Sequence, residues 1–84
     1  MTPIHELLHR IRWDPEFGRG EFELGYFDRV RQSLVRVPLR DIRLDPADHF
    51  GFQALDEDGV GHSVPFHRVR AVWRNGELIW QRPG

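Results

Sequence analysis

The most explicit chemical pattern in the chain is His5-Glu6-Leu7-Leu8-His9, a literal HExxH. On a helix the two imidazoles of such a segment share one face at i, i+4, where they can hold zinc while the Glu acts as general base. Three features argue against a metal site. The segment lies near the first residue, where chain ends are loosely held and water reaches a metal freely. Ile4, Leu7, Leu8 and Ile11 claim the buried face, which turns His5 and His9 toward a flank or solvent. No downstream motif supplies a third ligand. The expectation is no metal and no cofactor.

Nucleophilic chemistry fares no better. Ser33 and Ser63 are the only serines, and neither sits in a G-x-S-x-G elbow. With no Cys there is no thiol nucleophile, zinc knuckle or disulfide framework. Gly18-Arg19-Gly20 is too short for a phosphate-binding loop and reads as a turn. No catalytic residue is assigned.

Anion binding is better provided for. All 12 basic side chains are Arg. Arg presents a planar five-donor fork that matches carboxylate or phosphate, where Lys presents a point charge. Genomic base composition produces the same bias, so position has to decide. In His62-Ser63-Val64-Pro65-Phe66-His67-Arg68, Pro65 fixes φ and holds Val64 extended, which sets His67 and Arg68 on a stiff platform at a strand start. The plainer account is a core histidine bonded to a backbone carbonyl beside a solvated Arg68. Arg10-Ile11-Arg12-Trp13 at a helix exit could bind an anion and stack a base, or simply complement the helix dipole and cap the core. In Tyr26-Phe27-Asp28-Arg29, strand alternation puts Tyr26 and Asp28 on one face, where Asp28 could orient a nearby Arg or His.

The elements that must position these residues are legible in the periodicity. Thr2-Pro3 reads as a cap and first helical position, and the apolar stripe Ile4, Leu7, Leu8, Ile11 predicts a helix ending by Trp13, before Asp14-Pro15. Glu6 and Arg10 face each other at i, i+4 on it. From Glu21 the period becomes two, with Phe22, Leu24 and Tyr26 on one face, and a partner strand is expected at Leu34–Val37 through a turn at Arg29–Gln32. Pro38–Ile42 suggests a single helical turn. Phe50, Phe52 and Ala54 alternate as a third strand, followed by the Asp58-Gly59 turn. Asn75-Gly76 is the strongest hairpin signal, and the register it sets pairs Arg74 with Glu77, Trp73 with Leu78, Val72 with Ile79 and Ala71 with Trp80. Val69, Ala71, Trp73, Leu78 and Trp80 are then the buried face. The expected fold is α+β: an N-terminal helix packed on a small twisted antiparallel sheet of about five strands, a two-layer single domain over 1-84.

Composition supports one globular unit, since 84 residues leave no room for a second core and 39% hydrophobic residues are enough to build one. The net charge of −1 excludes a long-range positive field for nucleic acid. Apolar runs are too short for a transmembrane helix or a signal-peptide core, so a cytoplasmic protein away from membranes is expected.

Ile4…Leu7-Leu8…Arg10-Ile11-Arg12-Trp13-Asp14, Gly25-Tyr26-Phe27-Asp28-Arg29, Val64-Pro65-Phe66-His67-Arg68-Val69 and Gly76-Glu77-Leu78-Ile79-Trp80, in that order, resemble a small uncharacterised-domain family. Its members occur alone in archaea and bacteria and as modules fused to RNA-processing domains. The family has been proposed as an RNA repair-associated domain that recognises RNA ends carrying a 2′,3′-cyclic phosphate or similar group. The resemblance spans Ile4 to Arg82. It places the family's basic-Trp pair on Arg12 and Trp13, its aromatic-Asp-Arg stretch on Tyr26, Asp28 and Arg29, and its Pro-x-His-Arg on Pro65, His67 and Arg68. His9 stands where the family pattern often has Asn.

The resemblance implies an RNA-binding module for a terminal phosphate. Arg12, Arg29, Arg68 and His67 would be donors, and Trp13 or Tyr26 a stacking surface. Its partner would be an RNA 3′ end, with any RNA-processing protein supplied in trans. Two other readings stand beside it: a small enzyme opening such ends with His67 oriented by Asp28, and an interaction scaffold using an exposed Val72/Ile79 patch. Convergence of the site residues on one concavity separates the three.

Overall fold

In a computed structural model of the chain, residues 3–82 are described. The helix α1 runs Ile4–Trp13, with Ile4, Leu7, Leu8 and Ile11 buried as the apolar stripe requires. Pro3 is the N-cap rather than the first helical residue, its carbonyl accepting from the Leu7 N–H, and Thr2 lies outside the described residues. Asp14 ends the helix by accepting the N–H groups of Glu16 and Phe17. Arg10 turns toward this end, 3.9 Å from Asp14 and stacked 4.2 Å over Phe17, instead of pairing with Glu6.

The strands are β1 (Phe22–Asp28), β2 (Ser33–Pro38), β3 (Ile42–Arg43), β4 (Gly51–Leu55), β5 (Gly61–Pro65), β6 (Val69–Arg74) and β7 (Glu77–Gln81). The α+β class, the single helix and the antiparallel pairing agree with the sequence. The single sheet of about five strands does not: a four-stranded sheet β2-β1-β6-β7 and a three-stranded sheet β3-β4-β5 form instead. One core of α1 and both sheets joins Leu8, Leu24, Phe52, Val64, Phe66, Val69, Val72 and Trp80.

The split has a local cause. The chain changes sheets twice, at Val37-Pro38-Leu39-Arg40-Asp41-Ile42 and at Val64-Pro65-Phe66-His67-Arg68-Val69. Each corner is an extended Pro at a strand end, then a one-turn 3-10 helix whose first side chain, Leu39 or Phe66, is buried. Pro has no N–H to extend a ladder, so pairing stops there and the strand is redirected. Each corner is also clasped by a guanidinium. Arg12 donates to the carbonyls of Leu39 and Ile42 at 3.3 and 2.6 Å, and Arg82 donates to those of Phe66 and Val69 at 3.2 and 2.9 Å.

A β-bulge in the last hairpin corrects the expected faces. Asn75-Gly76 makes the expected turn, both residues at positive φ, and Arg74–Glu77 and Trp73–Leu78 pair as read from it. Beyond Trp73 the register shifts, so Val72 pairs with Trp80 and Ala71 with Gln81. One extra residue in a strand exchanges its faces. Val72 is therefore fully buried, while Leu78 and Ile79 are 46% and 39% exposed. Trp73 is half-buried on the opposite face from the core, lying over Gly25, where a Cβ would stand 2.9 Å from the indole. A Val72/Ile79 surface patch does not form. In the third strand Phe52 and Ala54 are buried as expected, but Phe50 is 86% exposed. It precedes β4 in a turn closed by Asp48, which accepts its N–H.

Candidate functional site

Where the two sheets splay apart they leave a groove of about 840 Å³. Tyr26 and Asp28 from β1 and Val35 and Val37 from β2 form one wall, and Ala54, Val64 and His62 form the other. The corners contribute Asp41 and Arg68, which occupy corresponding positions in the two matching segments.

Tyr26 packs edge-on against Phe52, ring centroids 6.3 Å apart. Burial raises its hydroxyl pKa first, the Asp28 charge adds to this, and Arg31 opposes it. The phenol therefore stays a neutral donor at the groove wall. Asp28 is fixed by its own turn, accepting the N–H groups of Val30 and Arg31 at 2.9 and 3.2 Å and lying 3.9 Å from the Arg31 guanidinium. It does not reach His67, so the acid–base pair considered from sequence is not formed.

The cations of the groove fall into two kinds. Arg31 is beside Asp28, and Arg36 is bonded to Glu23 and stacked 3.9 Å over Trp73. Arg29 and Arg68 also line the groove, and among the described residues neither guanidinium has a hydrogen-bond or ion-pair partner. Arg29 is exposed on the turn after β1, while Arg68 is half-buried.

The groove thus gathers Tyr26, Asp28, Arg29 and Arg68 from the residues singled out in the sequence. It does not include the other three. Arg12 lines a separate hollow of about 580 Å³ with Arg40 and Glu21, its Nη2 bonded to the first corner. Trp13 is 51% exposed at the helix end, against the His9 ring at 5.0 Å. His67 is exposed and lines neither hollow.

In the HExxH segment His5 lies against Phe66 and His9 against Trp13. Among the described residues no group of three or more His, Asp or Glu side chains could hold a metal ion.

The model of the MJ1316 RNA cyclic group end recognition domain matches residues 1–82. The chain belongs to that family. No solved structure matches it. In this MJ1316-family chain, sequence reasoning missed one pair at the groove, His62 and Asp56, whose side chains meet at 2.9 Å across the β4–β5 turn. The available signal was Asp56-Glu57-Asp58-Gly59, since an Asp opening a tight turn caps it and is thereby held in place.

Proposed function

We propose that this protein is an RNA-binding module that captures the terminal phosphate of an RNA end, a 2′,3′-cyclic phosphate or a related group, in RNA repair or processing. The observation that carries the reading is Arg68. It is a half-buried guanidinium on a proline-stiffened corner, facing a groove without a partner among the described residues. A phosphate supplies the charge-assisted, forked acceptor such a group lacks. Arg29 adds a second cation from the turn after β1, with no partner among the described residues, and the Tyr26 phenol a donor and an aromatic edge. Membership of a family described by recognition of RNA cyclic group ends supports the ligand class.

The net charge of −1 fits a site of this kind, because reading one phosphate takes convergent donors and not a basic face. The test is a titration of two RNAs identical except at the 3′ end, one with a 2′,3′-cyclic phosphate and one with a hydroxyl. Tighter binding of the cyclic end is expected. Equal binding removes end recognition.

A further inference from the structure

We infer that His62, oriented by Asp56, is a general base through which this groove hydrolyses the 2′,3′-cyclic phosphate it binds. The inference rests on the proposed end-binding role and adds an activity to it.

His62 pairs with Ala54 across the β4–β5 ladder and shares a face of β5 with Val64, so it stands on the groove side of its sheet. Asp56 is held rigidly by the turn, its Oδ1 accepting the N–H groups of Asp58 and Val60, both at 2.9 Å. Its Oδ2 is left for His62 Nε2, 2.9 Å away. The hydrogen bond from His62, then the one from Val60, lowers the Asp56 pKa, so this carboxylate is ionised at neutral pH. An ionised carboxylate only accepts. Nε2 must then carry a proton, so in the neutral imidazole the lone pair is on Nδ1, which has no partner among the described residues. That is the tautomer of a base, fixed by a carboxylate behind it.

The step balances within the groove. Nδ1 takes a proton from water as the water oxygen bonds to phosphorus. The bond from phosphorus to the ribose O2′ or O3′ breaks, and the imidazolium returns the proton to that oxygen. The products are a phosphomonoester and a hydroxyl. Arg68 lines the same groove and can face the phosphoryl oxygens on which charge accumulates.

The experiment uses the full chain and an RNA with a 2′,3′-cyclic phosphate end and 2′-O-methyl riboses upstream, so that only the end can react. Mass spectrometry follows the gain of one water, and anisotropy follows binding of the same RNA. The wild type is expected to convert the end. His62→Gln should lose conversion by about a hundredfold or more while still binding the end and with only a small drop in melting temperature from the lost Asp56 hydrogen bond. Asp56→Asn keeps an oxygen for the turn, but its amide donates to Nε2 and imposes the wrong tautomer, so it should lose conversion while still binding. A wild type that binds the cyclic end and leaves it intact overturns the inference and leaves the binding role standing. Conversion by His62→Gln at the wild-type rate also overturns it. A wild type that does not bind the end removes the binding role, and the inference with it.

Discussion

Arg12 and Arg68 are the same side chain in different employment, and substitution separates them. Arg12 satisfies two backbone carbonyls at the first corner. Arg12→Ala leaves those acceptors without it and should cost about 1–3 kcal/mol of stability, read by denaturant unfolding. Arg68 satisfies no described group, so Arg68→Lys should leave the melting temperature nearly unchanged. Because it keeps the charge and removes the fork, it should weaken binding of the cyclic-phosphate end by about 1–3 kcal/mol. Affinity unchanged in Arg68→Lys would place the phosphate elsewhere. Asp56 gives a pH signature of its own. Its folded pKa lies below the ordinary value, chiefly through the His62 hydrogen bond, so its contribution is present above the unfolded pKa and lost as pH falls through the folded one. Carboxyl NMR titration should show Asp56 at a low midpoint that rises toward the ordinary Asp value in His62→Gln.

The two tryptophans of the last hairpin show what a single extra residue does to an element. Trp80 closes the core opposite Val72, and Trp80→Ala should cost about 3–5 kcal/mol in chemical denaturation. Trp73 lies on the other face over Gly25 and under Arg36, half in solvent, so Trp73→Ala should cost clearly less. Equal losses would return Trp73 to the core and remove the bulge. Turn chemistry made Arg74–Glu77 and Trp73–Leu78 readable from Asn75-Gly76, but nothing local marks the shift beyond them, because core packing against α1 decides which of Val72 and Trp73 turns inward. The helix was legible because its stripe has one period and a proline stop. The two-sheet split was not, although its cause is written twice, in Val37-Pro38-Leu39 and Val64-Pro65-Phe66. Each Pro was readable as a stiffener, whereas the partner sheet of each following strand is set by tertiary contact. The site divides the same way. Tyr26, Asp28, Arg29 and Arg68 follow from a strand, its turn and a corner, but the assignment of Arg12 to carbonyls 27 and 30 residues away has no sequence signal. The His62–Asp56 pair depends on how the hairpin closes.

For the whole molecule, charge decides how an RNA can be held. Thirteen acids balance twelve bases, and much of the basic charge is already committed within the fold: Arg12 and Arg82 at the corners, Arg10 and Arg31 beside carboxylates, Arg36 on Trp73. On the proposed reading the affinity comes from the concavity between the sheets and not from a face that tracks a phosphate backbone. Counterion release then follows the few phosphates contacted, since the salt slope scales with that number. The logarithm of the association constant for a cyclic-phosphate RNA against the logarithm of salt should fall with a slope of about one to two, far from the six to ten of an extended backbone binder. Arg68→Lys should lower the affinity at every salt concentration and leave the slope nearly unchanged, because the ammonium still neutralises the same charge. Lengthening the RNA away from the end should add little to the slope. A steep slope that grows with RNA length would show that the backbone is being read across the surface and that the groove is not the seat of binding.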